Sequence, residues 1–234
     1  GTGEDGVRVA RLYSRTGEDI SRAFPELAQA LCEPGFGDCA LDGELLILRE
    51  GRVESFATLQ QRLNRKTVTP KLIADYPAHV RAYDLLMEDG EDLRSLTFAA
   101  RRERLEKFVA RIAHRRFDLS PLLNFASWDE LAAARAQPVD FDAADNAEAI
   151  EGVMMKRADS PYVPGRPRGL WFKWKRDPFT VDAVLMYAQR GHGKRSSYYS
   201  DYTFGVWTAD ADGERLVPVG KAYFGFTDEE LLQI

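Results

Sequence analysis

Glu151-Gly-Val-Met-Met-Lys156 and Trp171-Phe-Lys-Trp-Lys175, separated by a loop with three prolines and two glycines, are the stretch on which the reading of this chain turns. Both runs are short and extended. Side chains alternate faces along a strand, so Lys173 and Lys175 project from one side while Phe172 and Trp174 are expected to anchor the other side in a core. Two ammonium groups held side by side repel unless an anion lies between them, and phosphate is the natural partner for paired point-charge donors on a rigid element. Read alone, the pair fits a solvated surface strand equally well. Strict alternation counted from Glu151 aims Lys156 at the opposite face unless a bulge intervenes.

Composition bounds the possibilities. With 234 residues, 44% hydrophobic and 29% charged, the chain is long enough for one good core or two smaller ones. No apolar run approaches a membrane span, and the opening Gly-Thr-Gly-Glu-Asp-Gly matches neither a signal nor a transit peptide, so no membrane partner and a cytoplasmic location are expected. Cys32 and Cys39 lack a CxxC pairing or a nearby histidine and read as small, buried or half-buried residues. The net charge of −5 conceals an asymmetry: residues 151–200 hold ten Lys/Arg against four Asp/Glu, a local +6 that leaves −11 for the rest. A locally basic half is the footprint expected for phosphate tracking. Residues 138–151, by contrast, read as an acidic connecting loop.

The pattern along the chain predicts mixed α and β structure. Strands are expected over 7–14, over 39–48 with a kink at Gly43, and over 80–87, ending at Asp89-Gly90. Helices are expected over 21–31 with Asp19 or Ser21 as cap, from Phe56 to Leu63 after Ser55, over 97–112 through Leu105, Phe108, Val109 and Ile112, and from Ser127 as a capping box. The polar side of the Phe56–Leu63 helix is expected to carry Gln60, Arg62 and Arg65. After Pro178 only short strands follow, 181–189, 199–207 and 215–224, which places a domain boundary at 177/178.

Leu12-Tyr-Ser-Arg-Thr-Gly-Glu18, Leu41-Asp-Gly-Glu44, Arg81-Ala-Tyr-Asp-Leu85 and the two runs above, in that order, resemble the nucleotidyltransferase motifs of ATP-dependent DNA ligases. Ser55-Phe-Ala-Thr-Leu-Gln-Gln-Arg-Leu-Asn-Arg65 and Gln189-Arg-Gly-His-Gly-Lys-Arg195 are similar to the bacterial members, and the resemblance runs over essentially the whole sequence. It implies an α+β fold: an ATP-grasp-like nucleotidyltransferase domain over 1–177, followed over 178–234 by the first part of an OB-fold barrel. The family's nucleophile is the lysine of Lys-x-Asp-Gly, yet the only early Asp-Gly is Asp5-Gly6 and the first lysine is Lys66. The resemblance therefore implies an internal fragment, without the nucleophile, the N-terminal DNA-binding domain or the end of the barrel.

Its implied activity is three phosphoryl transfers: from ATP to the lysine, from the lysine to the 5′-phosphate of a nick, and attack by the 3′-hydroxyl that seals nicked duplex DNA. Lys173 and Lys175 would stabilise charge on the phosphate. Glu44 matches the family residue near the ribose, and Glu151 one near the phosphates that helps place magnesium. Tyr83 matches the aromatic that stacks on adenine, and Arg15 the arginine beside the lysine and the 5′-phosphate. Arg166 and Arg168 lie where such ligases often carry an arginine, with Pro167 leaving the choice between them open. Arg62, Arg65 and Lys66, with Lys194 and Arg195, would hold the DNA backbone. The resemblance also implies a role in DNA repair, recombination and replication, and a complete protein that is monomeric. An RNA ligase or capping-type nucleotidyltransferase shares the motif order, and a non-catalytic nucleic-acid-binding module is the alternative of a different class.

Overall fold

The computed structural model describes residues 7–63, 65, 67–138, 149–165, 167–178, 180–210, 213–223, 225 and 227–231. The chain divides into two compact units, Gly1–Asp177 and Pro178–Ile234.

In the first unit the sheet is built on two long strands, β1 (Cys39–Arg49) and β3 (Ala78–Glu88), paired antiparallel. Short strands extend it: β2 (Arg52–Val53) beside β1, β4 (Glu91–Asp92) beside β3, and β5 (Phe117–Leu119) running parallel to β3. Gly43 is a packing requirement rather than a flexible point. A Cβ there would lie 2.7 Å from Val80 Cγ1 and 3.1 Å from the Arg81 carbonyl, so any side chain would push β1 off β3.

Helices α1 (Pro25–Leu31), α2 (Phe56–Leu63), α3 (Pro70–Asp75), α4 (Phe98–Ile112) and α5 (Trp128–Ala136) accompany the sheet. Phe24, Leu27, Ile47, Leu85, Leu105 and Phe108 meet in one core. Helix α4 starts at Thr97, whose hydroxyl accepts from the Ala100 amide (3.3 Å), and ends with Ala113 in the left-handed region. Helix α5 starts at Ser127, which accepts from the Glu130 amide at 3.2 Å.

Several expectations are corrected. Residues 7–14 form no strand; they carry isolated bridges, Tyr13↔Asp19 among them, in a tight reversal closed by Ser14 N to Glu18 O and Ile20 N to Leu12 O. The helix expected over 21–31 is split into a 3-10 turn at Ser21–Ala23 and α1, because Pro25 excludes Phe24 from helical geometry (φ −134°, ψ 57°). Phe172 is not a core anchor, being 55% exposed, since β6 (Gly152–Lys156) and β7 (Trp171–Lys175) form a separate two-stranded ribbon. Trp174 alone has cover, from the Arg135 guanidinium 4.8 Å above its ring.

Arg62 is the largest correction. It is fully buried, donating to the Tyr76 and Ala23 carbonyls (both 2.7 Å) and to Glu26 (2.9 Å), with the Phe24 ring 5.0 Å away. The helix face three residues on from Leu59 points inward, so Arg62 ties α2 to α1 and has no surface to offer DNA.

The second unit is an antiparallel sheet, β8 (Val184–Arg190), β9 (Tyr199–Asp210) and β10 (Gly213–Ala222) in the order β10-β9-β8, followed by a short helix α6 (Asp228–Leu231). Most of the expected acidic connection, residues 139–148, lies outside the described residues.

Candidate nucleotide-binding site

The β6–β7 ribbon pairs Gly152 with Lys175, Met154 with Lys173 and Lys156 with Trp171. Directly opposed residues of an antiparallel pair share a face, so Lys156, Lys173 and Lys175 all project from one side, with Met154 among them. The expectation that Lys156 faces away is thereby corrected. The ladder from 152 to 156 is unbroken; it is Gly152, at φ +145°, that departs from strand geometry and turns Glu151 onto the lysine side. A Cβ at Gly152 would sit 2.3 Å from the Trp174 carbonyl, which explains the glycine after the acid.

Glu151 is the anion between the two lysines. Its Oε2 lies 2.8 Å from Lys173 Nζ and 3.4 Å from Lys175 Nζ. Lys173 first, and then Lys175, hold its carboxyl below the usual carboxylate range. Two cations against one carboxylate leave a net positive charge on an open surface, with the lysine side chains 46% and 63% exposed. Surface ion pairs of this kind are worth about 1 kcal/mol at most, so the cluster contributes little to holding the fold. It remains free to exchange partners with an arriving anion.

Tyr83 reaches the same place by a different device. Between β1 and β3 the register steps from Asp42↔Asp84 to Gly43↔Ala82, leaving Tyr83 as the extra residue of a β-bulge. The bulge presents the Tyr83 ring outward, 36% exposed, while Asp84 turns inside to a bidentate pair with Arg101 at 2.8 and 3.0 Å. Burial, then the Asp42 carboxylate and with smaller effect Glu44, push the Tyr83 phenol above its ordinary value. Glu44 is exposed on β1, opposite Arg81. Asp42 itself accepts from the Tyr162 hydroxyl at 2.8 Å.

Lys156 joins the two halves. Its ammonium is 4.8 Å from the centre of the Tyr83 ring and 3.5 Å from Asp84 Oδ2. The segment after β6 is fastened to the start of α4 by Phe98 N to Ser160 O (2.8 Å) and Ala99 N to Ala158 O (2.9 Å). Lys156 thus brings the face of the ribbon that carries Lys173 and Lys175 into contact with the Tyr83 ring.

Other expected site residues are not brought in. Arg15 and Arg168 are exposed on loops, and among the described residues no hydrogen bond or ion pair joins either to this cluster. Arg65 is exposed, and its side chain donates to the Gln61 carbonyl (3.1 Å). Lys194 is exposed in the second unit. Lys66, Arg166 and the side chain of Arg195 lie outside the described residues. Sequence reasoning missed Arg101, Lys156, Tyr162 and Met154. Arg101 left a signal, standing four residues before Leu105 on the apolar stripe of α4, where a cation requires a buried acid.

The group described as ATP dependent DNA ligase domain matches residues 5–175. A probable DNA ligase of Koribacter versatilis is 33% identical over 98% of this chain and 43% of its own length. One of Opitutus terrae is 37% identical over 99% of this chain and 24% of its own. The chain thus spans less than half of the length of these relatives. Among solved structures, the ligase domain from M. tuberculosis LigD is 28% identical with a TM-score of 0.54, covering 95% of this chain and 63% of that one. No helix among the described residues is long and apolar enough to cross a membrane. A match over most of the first unit shows that the chain belongs to the ATP-dependent DNA ligase domain family.

Proposed function

We propose that this chain is the nucleotide-binding core of an ATP-dependent DNA ligase that seals nicks in duplex DNA through ligase-AMP and DNA-adenylate intermediates. The observation that carries the reading is the Lys173–Glu151–Lys175 cluster on the face of the β6–β7 ribbon that also carries Lys156, whose ammonium lies 4.8 Å from the centre of the Tyr83 ring. In it, Tyr83 is the platform for adenine and Glu44 the partner of the ribose. Lys173 and Lys175 meet the α-phosphate, exchanging their contact with Glu151 for phosphate oxygens as negative charge develops there. Arg15 and one of Arg166 and Arg168 serve the phosphates. Arg65, Lys66, Lys194 and Arg195 contact the DNA backbone, giving affinity without sequence preference. The second unit's sheet supplies the leading strands of an OB-fold barrel.

Magnesium fits these residues in one way only. Among the described residues no group of three or more His, Cys, Asp or Glu could hold a metal ion, so a magnesium here would take Glu151, with Glu44 the other candidate, together with phosphate oxygens. When bound it would supply further charge neutralisation on the phosphates.

None of the eight lysines stands in a Lys-x-Asp-Gly context. Incubated with ATP and magnesium, the 234-residue chain is therefore expected to gain no covalent AMP by intact mass spectrometry. A denaturation-stable AMP adduct on any of these lysines would mean that the nucleophile has been misassigned. In the full-length protein, Tyr83→Ala is expected to weaken ATP use by about 1–3 kcal/mol, the scale of base–aromatic stacking, with Tyr83→Phe near normal. Unchanged ATP affinity in the alanine variant would return Tyr83 to a purely structural role.

A further inference from the structure

Lys156 lies in surroundings that a surface lysine does not need. Its side chain is 20% exposed, and its ammonium sits 4.8 Å from the centres of two rings, Tyr83 and Phe98, and 3.5 Å from Asp84. Asp84 does not require it as a counter-ion, because Arg101 already meets both carboxylate oxygens at 2.8 and 3.0 Å. What Lys156 adds is a cation against the Tyr83 ring. Phe98 is held in turn by the hydrogen bond its backbone amide donates to the Ser160 carbonyl, so the second ring and the ammonium form one backing.

We propose that Lys156 is a positioning residue for the nucleotide base: it fixes the plane of the Tyr83 ring by a cation–π contact and covers one of its faces, leaving the other as the only stacking surface. The proposal rests on the reading of Tyr83 as the base platform. A ring on a bulge is held by fewer ladder contacts than one within a regular strand, and a half-exposed tyrosine would otherwise turn freely about its χ1 and χ2. The cation also draws on the ring's quadrupole, which suits the covered face to the ammonium and the open face to an electron-rich purine. Burial, the larger influence, holds the Lys156 pKa below its ordinary value, and the Asp84 carboxylate opposes that shift.

The test is a double-mutant cycle on self-adenylation of the full-length protein, reading KM for ATP and kcat separately. Lys156→Met keeps the stem and removes the charge; Lys156→Arg keeps the charge. Lys156→Met is expected to raise KM roughly 3- to 30-fold, the span of a partly desolvated cation–π contact, with kcat little changed, and Lys156→Arg to restore most of it. In a Tyr83→Ala background the same substitution should leave KM unmoved. Should Lys156→Met prove unstable, Lys156→Arg compared with Lys156→Gln at temperatures below both melting transitions reads the same charge dependence. An equal rise in KM in both backgrounds, or none in the parent, overturns the role of Lys156 while leaving Tyr83 as the platform. If Tyr83→Ala alone leaves KM unchanged, the platform reading fails and the role of Lys156 fails with it.

Discussion

Replacing Arg101 with leucine is expected to destabilise the first unit by about 3–5 kcal/mol, the cost of leaving one partner of a buried ion pair unmatched. Both side chains are essentially inaccessible, at 2% and 1% exposure, and the guanidinium is committed on every side. Nε and Nη2 take the two oxygens of Asp84, while Nη1 donates to the Leu96 carbonyl (2.6 Å) and, at 3.3 Å, to that of Ser160. Leucine would fill much of the space but leave the Asp84 carboxylate with Lys156, at 3.5 Å, and the Leu85 amide, at 3.1 Å, and the Leu96 and Ser160 carbonyls with a donor fewer. Removing both charges, in Arg101→Leu with Asp84→Leu, should recover a substantial part of the loss, because the pair's desolvation cost then disappears with its attraction. Urea unfolding of the two variants against the parent measures this. A loss below about 1 kcal/mol for Arg101→Leu would mean that water reaches Asp84 and that the pair does not set the inner side of the Tyr83 bulge.

The motifs and the main elements were legible in the sequence because they depend on local chemistry. Gly43 marked the irregularity in β1, where the register against β3 steps, Asp89-Gly90 the end of β3, and Thr97 and Ser127 the starts of α4 and α5. Helix α3 was also within reach, since Thr69-Pro70 is a cap followed by a proline at the first helical position, and Thr69 does accept from the Leu72 amide at 3.2 Å. What periodicity could not show was which cations lie inside. Arg62 and Arg65 belong to the same basic string, yet one is buried in a cage of carbonyls and the other is exposed. The difference comes from α1 and from Tyr76, residues distant in sequence. Lys156 was hidden for another reason. Counting alternation from Glu151 assumes strand geometry at Gly152, and the positive φ there shifts the acid rather than the lysine. Tyr83 and Asp84 likewise needed the register of β1 against β3, because a bulge is a property of two strands and no single one records it.

Lys173→Ala and Lys175→Ala are each expected to lower the rate of phosphoryl transfer by about 100- to 1,000-fold in the full-length protein at saturating ATP and magnesium, the usual loss on removing one fixed donor from a developing oxyanion. The same substitutions should hardly alter stability, because both ammonium groups are solvated and their pairing with Glu151 is a surface contact. That contrast separates a functional cluster from a structural one, and Arg101 marks the structural extreme. Lys173, the nearer to Glu151 at 2.8 Å, is opposite Met154, and Lys175 is opposite Gly152, so the two ammonium groups approach a bound phosphate from neighbouring positions of one strand. Groups that act on the same oxygens are not independent, and the double variant should lose less than the product of the single losses. Glu151→Gln separates the lysines' work from the acid's: it frees both lysines from their internal anion, so a defect that shifts with magnesium concentration would belong to the carboxylate as a metal ligand. Identical magnesium titrations for Glu151→Gln and the parent would instead leave Glu151 as the spacer that keeps two like charges together until a phosphate replaces it. Wild-type rates in either lysine variant, measured by single-turnover adenylation, would leave the β6–β7 ribbon as a solvated surface strand and remove the basis for placing the phosphate there.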